Sequence, residues 1–101
     1  MVITDTLDQL DACHHRVTLV PAGEIDAGTV DDFADSVWSA VRSGAHEVDV
    51  DLSDVPFMDT AALRVLEIAR ESLASTGGHL CLRNPRPPVR RLLSLTAFTA
   101  Y

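Results

Sequence analysis

The sequence contains no lysine, and it also lacks any long apolar run; each absence excludes a class of protein. All 8 basic residues are arginines, against 15 acidic residues, so the formal net charge is −7. Affinity for nucleic acid depends on neutralising phosphates with lysine and arginine, so direct nucleic-acid binding is not expected. No stretch approaches the roughly 18 to 20 apolar residues of a membrane span, and the first residues do not resemble a signal peptide. We therefore expect a cytoplasmic protein.

Metal-binding and phosphate-binding signatures are also missing. The two cysteines, Cys13 and Cys81, are too few for a disulfide framework, and we assign them no function. In the run Cys13-His14-His15, consecutive residues point to different sides of an extended chain and cannot easily surround one ion. The pair Gly77-Gly78 is predicted to end a helix, whereas a phosphate-binding loop begins one. No metal and no cofactor are therefore predicted.

The proportions of hydrophobic and charged residues are ordinary for one compact domain. Its 101 residues are 47% hydrophobic and 23% charged, as in globular proteins that bury a core. All acidic residues lie within residues 1–82, whereas residues 83–101 hold four arginines and no acid. We predict a single domain over residues 1–101, with an acidic body and a basic C-terminal segment. The simplest interpretation of that segment is a solvated helix face.

Alternating strand and helix patterns predict an α/β fold. The order β-β-α-β-α-β-α indicates a mostly parallel sheet of four to five strands covered by about three helices. Strands are predicted over 2–7, 16–22, 48–52 and 79–82, and helices over 29–43, from Asp59 or Thr60 to Thr76, and from Val89 to about Phe98. The first two strands are expected to form a hairpin, and Thr29 is expected to cap the first helix.

Apolar stripes predict which faces are buried. In the first helix we expect Trp38 to lie in the core with its stripe. The predicted stripes comprise Val30, Phe33, Val37, Trp38 and Val41 in the first helix, and Leu63, Leu66, Ile68, Ala69 and Leu73 in the second. In the strand over 48–52, Asp49 and Asp51 alternate with apolar residues and are expected on a solvent-exposed face. Their exposure accounts for these carboxylates without a catalytic role, so no catalytic residue is predicted.

The segment Phe57–Leu63 leads from a strand into a helix and places a hydroxyl at the helix start. Asp59 or Thr60 can cap this helix, which requires no further function. The alternative is a switch, because a phosphate on Thr60 would lie at the positive end of the helix dipole beside free backbone N–H groups. The residues alone leave both interpretations open.

Three short segments in this order and spacing resemble the STAS family, which includes anti-sigma factor antagonists. The segments are Gly23–Asp26, Asp51–Ser53 and Phe57–Leu63, and the similarity extends from about Val17 to Phe98. The resemblance implies a STAS-like α/β domain that binds proteins, is not an enzyme, and regulates transcription indirectly.

The resemblance also implies a site. In such antagonists the anti-sigma factor is a serine/threonine kinase, and it phosphorylates the residue directly after the Asp of the loop between strand and helix. This carries over to Asp59 and Thr60. A resetting protein phosphatase is a further implied partner. The partner surface is expected where the turn at 23–28 meets the loop at 56–60, and its residues are Glu24, Asp26, Met58, Asp59, Thr60, Ala61 and Ala62.

One departure from the family keeps a second function open. The family loop usually reads Asp-Ser-Ser-Gly, whereas this chain has Asp59-Thr60-Ala61-Ala62. The second hypothesis is a STAS module that is not phosphorylated and binds its partner constitutively. It would act as a scaffold or as a subunit of a lipid-transport or membrane-associated assembly, with Thr60 only as a cap. A small α/β enzyme is the third and weakest hypothesis.

Overall fold

The computed structural model describes the backbone of residues 2–9 and 15–95 and the side chains of residues 16–95. The element order confirms the predicted α/β fold. The strands are β1 (Val2–Gln9), β2 (His15–Ala22), β3 (Glu47–Asp51) and β4 (His79–Arg83), and the helices are α1 (Val30–Arg42), α2 (Thr60–Ala74) and α3 (Pro87–Leu93).

The four strands form one sheet in the order β1-β2-β3-β4. β1 and β2 are antiparallel, with Gln9 opposite His15, as predicted for a hairpin whose turn lies outside the described residues. β3 is parallel to both β2 and β4. The carboxyl ends of β2, β3 and β4 therefore meet at one edge of the sheet, and the loops that follow these strands emerge side by side.

Alternation along the strands separates a core face from a polar face. The core face packs against all three helices, because its side chains belong to one buried cluster with helix residues such as Phe33, Leu66 and Val89. The strand residues on this face are Val17, Leu19, Val48, Val50, Leu80 and Leu82. The other face carries the charged residues of β2, β3 and β4.

Asp49 corrects one prediction, because it is only 5% exposed. It lies on the polar face as expected, but two arginines from the neighbouring strands flank it. Asp49 Oδ2 is 3.5 Å from Arg16 Nε and 3.8 Å from Arg83 Nη2. The other oxygen, Oδ1, is buried and has no hydrogen-bond partner among the described residues. This carboxylate is thus held as the shared anion of two ion pairs.

Helix packing corrects three further predictions. Trp38 in α1 is only partly buried, whereas its stripe predicted a core position. Ile68 is 47% exposed. Leu66 and Ala69 form the buried face of α2, and the helical rotation of about 100° per residue places Ile68 outside that face. The last helix begins at Pro87 rather than Val89, since proline fits the first turn of a helix, and it ends at Leu93. Residues 96–98, predicted as helix, lie outside the described residues.

Candidate functional site

Two loops at the carboxyl edge of the sheet are joined by backbone hydrogen bonds. The Ile25 N–H donates to the Phe57 carbonyl and the Asp59 N–H donates to the Ile25 carbonyl, each at 3.0 Å. These bonds form an isolated parallel bridge between Ile25 and Met58. The Gly23 N–H also donates to the Asp54 carbonyl at 3.0 Å. The bonds bring together the turn at 23–28 and the loop at 56–60, the two segments of the predicted surface.

Asp59 is the residue that caps α2. Its backbone is extended, and its Oδ1 accepts a hydrogen bond of 2.6 Å from the Ala61 N–H. Thr60 is the first residue of the helix and is exposed. Its hydroxyl makes no hydrogen bond to any of the described residues. Of the two residues that the sequence offered as the cap, the structure therefore supports Asp59. The Thr60 hydroxyl makes no hydrogen bond that stabilises the helix within the described residues.

Arg64 is a residue that the sequence analysis missed. It lies four residues after Thr60, so both side chains are on one face of α2. Arg64 is exposed and makes no ion pair or hydrogen bond through its side chain within the described residues. The spacing i, i+4 in a predicted helix was the signal that could have identified it.

The turn at 23–28 is held by Asp26 and Thr29. Asp26 Oδ1 accepts from the Gly28 N–H at 2.9 Å, and Thr29 Oγ1 accepts from the Asp26 N–H at 3.0 Å. The Thr29 hydroxyl donates to the Glu24 carbonyl, also at 3.0 Å. Thr29 occupies the N-cap position of α1, as predicted, but its side chain makes no capping hydrogen bond to the helix. The hydroxyl closes the preceding turn instead.

Burial divides the predicted partner-binding residues into two groups. Glu24, Thr60 and Ala61 are exposed, while Asp26 and Asp59 are half-buried. Met58 and Ala62 are 3% and 0% exposed, so their side chains support the surface from beneath. Within the described residues, positive φ in a non-glycine residue occurs only at Asn84. Ala61 and Ala62 therefore occupy the first turn of α2 without the backbone strain that would demand glycine.

An exposed apolar groove adjoins this surface. Phe57 is 47% exposed and Leu95 is 81% exposed, and both line a groove of about 300 Å³. Met58, Pro88, Arg91 and Leu92 complete its lining. Phe57 was not among the partner-binding residues predicted from the sequence. The basic α3 thus borders the acidic loop surface.

Ser53 fixes the carboxylate at the end of β3. Burial acts to raise the pKa of Asp51, but hydrogen bonds from the Ser53 backbone and side chain and from the Asn84 side chain outweigh it and lower the pKa. The Ser53 N–H lies 3.0 Å from Asp51 Oδ1. Arg86 Nε donates to the Ser53 carbonyl at 2.7 Å. These contacts position the start of the loop that leads to Thr60.

Cys81 has the environment of an unreactive thiol. It is partly buried and not in a disulfide. Burial raises its pKa, the Asp49 carboxylate raises it further, and Arg83 opposes them. The thiolate is the reactive form, so this environment disfavours reaction. Cys13 lies outside the described residues.

The described part of the chain offers neither a metal-binding cluster nor a membrane-spanning helix. Side chains 16–95 contain no group of three or more histidine, cysteine, aspartate or glutamate residues that could hold a metal ion. Among the helices of the described ranges, none has the length and apolar character needed to cross a bilayer.

Similarity to known proteins agrees with this geometry. A STAS-domain containing protein of Pseudomonas aeruginosa is 28% identical over 83 residues, which are 82% of this chain and 81% of that protein. The anti-sigma F factor antagonist of Paenibacillus polymyxa is 29% identical over 91 residues, covering 87% and 78% of the two chains. The structure of the anti-sigma factor antagonist SpoIIAA in its unphosphorylated form superposes with a TM-score of 0.74 at 19% identity, covering 91% of this chain and 79% of SpoIIAA. The profile of the STAS domain family matches residues 7–101, and the chain belongs to this family.

Proposed function

We propose that this protein is an anti-sigma factor antagonist whose binding is switched off by phosphorylation of Thr60. In the proposal, the unmodified protein binds an anti-sigma factor with serine/threonine kinase activity in the cytoplasm and thereby regulates transcription indirectly. Phosphorylation by that partner releases it, and a protein phosphatase resets it. The protein acts by binding and is not an enzyme. The observation that carries the proposal is the exposed Thr60 hydroxyl, which has no hydrogen-bond partner among the described residues.

A capping role does not account for this hydroxyl. A threonine retained as a helix cap would accept a hydrogen bond from an N–H of the first turn. Asp59 already accepts that bond from Ala61. Thr60 is therefore available to an incoming kinase without disrupting α2.

The local electrostatics allow the domain to carry a phosphate at this position. The N-terminus of α2 presents the positive end of the helix dipole, and the first turn contains no acidic residue. Arg64, one turn further along the same face, offers a cation without another partner among the described residues. A phosphate of charge about −1.5 to −2 would thus be stabilised within the domain, which remains folded in both states.

The same phosphate would oppose partner binding. The surface around Thr60 also carries Glu24, Asp26 and Asp59, so it presents negative charge to a partner. Arg64 can offset only part of the phosphate charge, so burying the phosphate in an interface costs several kcal/mol unless the partner supplies a further cation. The name of the Paenibacillus relative and the existence of a phosphorylated form of the structural neighbour SpoIIAA support this assignment by analogy.

The experiment combines a phosphorylation assay with a binding assay. The purified protein is incubated with candidate anti-sigma factors and ATP, and its intact mass is measured. We expect the addition of one phosphate, lost in Thr60→Ala and retained in the control Thr76→Ala, whose threonine is also exposed but lies in the turn that follows α2.

Calorimetry with the same partner then measures binding. We expect Thr60→Ala to bind as the parent does and Thr60→Glu to bind ten- to a thousandfold more weakly, which corresponds to about 1.4 kcal/mol per decade. Equal affinities of the parent and Thr60→Glu for the partner would refute the proposed phosphorylation switch. A partner that binds but never transfers phosphate would instead support the constitutive STAS module, for which the groove lined by Phe57 and Leu95 provides a permanently exposed apolar contact.

A further inference from the structure

We propose a second binding site, for a small flat molecule with one anionic group, in the groove between the C-terminal ends of α1 and α2. The groove has a volume of about 650 Å³ and lies between Trp38 and Val41 of α1 and Ser72 and Leu73 of α2. Small-molecule sites commonly have volumes of about 300 to 1,000 Å³, mainly apolar walls and a few polar groups. The site does not depend on the proposed function of Thr60.

Trp38 explains the preference for a flat ligand. Its indole is only partly buried and forms one wall, so it leaves an aromatic surface on which a ring can pack. Ala45 and Leu73 line the groove as well and are 6% and 2% exposed, which makes this part of the lining apolar. Trp38, predicted from its helical stripe to lie in the core, is therefore only half-covered beside this groove.

Arg42 explains the preference for an anion. It lines the groove in the last turn of α1, is exposed, and makes no side-chain hydrogen bond or ion pair within the described residues. The only other ionisable side chain of the lining is His46, and no acidic residue lines the groove among the described side chains. A free guanidinium in a chain of net charge −7 therefore has no carboxylate here to neutralise it.

The helix ends do not offer a competing site for a cation. Carbonyl groups at a helix C-terminus are electronegative and could attract positive charge. Here, however, the Ser43 hydroxyl donates to the Ala40 carbonyl at 2.6 Å, and the Ser75 hydroxyl donates to the Ser72 carbonyl at 2.7 Å. These two carbonyls are therefore already engaged by the chain itself. The guanidinium of Arg42 carries a full positive charge, which the negative end of the α1 dipole offsets only in part.

The groove is remote from the Thr60 loop. Ser72 to Thr76 lie at the end of α2, and Thr60 lies at its beginning, about 20 Å away for a helix that rises about 1.5 Å per residue. A ligand in the groove would not contact the partner surface, so the two sites can be tested separately.

The experiment uses the dye 1-anilinonaphthalene-8-sulfonate as the flat anion and Trp38, the single tryptophan of the chain, as the reporter. Titration of the native protein should quench Trp38 emission and saturate at one equivalent. Arg42→Gln should weaken the affinity at least tenfold. The matched control is Arg91→Gln, because Arg91 lines the other apolar groove and is also exposed. We expect that control to bind as tightly as the parent.

A second probe isolates the anionic group. N-phenyl-1-naphthylamine has the same rings without the sulfonate, and we expect it to bind the parent at least fivefold more weakly and to be insensitive to Arg42→Gln. Circular dichroism and unfolding midpoints confirm that each variant is folded. The proposal is overturned if the sulfonate dye does not saturate, if it saturates without quenching Trp38, or if Arg42→Gln and Arg91→Gln bind it equally.

Discussion

Asp59 and Ala61 are joined by a hydrogen bond of 2.6 Å, from the Ala61 N–H to Asp59 Oδ1, at the first turn of α2. The bond assigns the stabilising role at this helix start to Asp59 and leaves Thr60 free for another role. Two adjacent polar residues thus serve different purposes, one for the fold and one for the proposed switch.

The division between Asp59 and Thr60 predicts different costs of truncation. Asp59→Ala removes the cap and should lower the free energy of unfolding by about 1 kcal/mol. Thr60→Ala removes a hydroxyl that makes no bond to the described residues, so it should change stability by less than about 0.5 kcal/mol. Urea denaturation followed by circular dichroism measures both. A larger cost for Thr60→Ala than for Asp59→Ala would assign the cap to Thr60 after all.

The ion pairs of Asp49 on the polar face of the sheet predict that its truncation destabilises the fold more than truncation of Glu47 does. Asp49→Ala removes the anion shared by Arg16 and Arg83 and leaves these two cations without it. Since both arginines are partly hydrated, we expect a loss of about 1–3 kcal/mol rather than the larger cost of isolating a fully buried charge. Glu47→Ala is the control, because the side chain of Glu47 is 35% exposed and its pair with Arg16 should contribute less than about 1 kcal/mol. Equal losses in urea denaturation would contradict a special role for Asp49.

The sequence predicted the fold and the meeting of the two loops at the carboxyl edge better than it predicted the environment of single side chains. Periodicity in β3 identified Val48 and Val50 as core, and the structure confirms this. The same periodicity could not show that Asp49 is buried, because Arg16 and Arg83, which flank it, come from strands far apart in the sequence. Trp38 was misplaced for a related reason, since helical spacing assigns a face but does not tell how far the neighbouring helix extends over it.

The candidate site illustrates the same limit. The motif at 57–63 located the helix start correctly, but capping preferences alone could not choose between Asp59 and Thr60, because both residue types cap well. The choice depends on the extended backbone of Asp59, φ −92° and ψ 167°, which the parallel bridge between Ile25 and Met58 helps to fix. That bridge joins loops from two separate strands, so no local pattern reveals it.

Gly78 predicts a steric effect at the turn between α2 and β4. A Cβ atom at this position would lie 2.7 Å from the His46 carbonyl oxygen and 3.3 Å from that of Leu73. Both are backbone atoms and can move little, so we expect Gly78→Ala to lower the free energy of unfolding by about 1–3 kcal/mol. Gly77→Ala is the comparison, because its Cβ would meet nothing within 4 Å while its φ of 81° alone costs about 1–2 kcal/mol. The steric account fails if Gly78→Ala is as stable as the parent.

The lowered pKa of Asp51 predicts that the free energy of unfolding falls at acidic pH. Its pKa is lowered in the folded protein, so its hydrogen bonds with Ser53 and Asn84 stabilise the fold above the pKa of the unfolded chain, about 3.9. This contribution is lost as the pH falls through the folded-state pKa. Ser53→Ala should raise the Asp51 pKa and reduce stability at pH 7 more than at pH 2. Carboxyl chemical shifts in an NMR titration measure the first effect, and urea midpoints at the two pH values measure the second. An unchanged Asp51 pKa in Ser53→Ala would refute the assignment.

Asp26 allows a structural role and a contact role to be separated. Its Oδ1 accepts from the Gly28 N–H, so part of its function is to hold the turn at 23–28 beside the Thr60 loop. Asp26→Asn keeps a carbonyl oxygen for this bond but removes the charge, whereas Asp26→Ala removes both. We expect Asp26→Asn to retain the parent's unfolding midpoint and Asp26→Ala to lower the free energy of unfolding by about 1 kcal/mol.

Binding of the Asp26 variants then decides whether the carboxylate is part of the partner surface. If a cation of the anti-sigma factor pairs with it, Asp26→Asn should weaken binding at least threefold in calorimetry with the partner that phosphorylates Thr60, although the turn is intact. Asp26→Ala should weaken binding further, because the turn is then no longer held against the loop. Binding of Asp26→Asn within a factor of two of the parent would remove Asp26 from the interface and restrict its role to the turn.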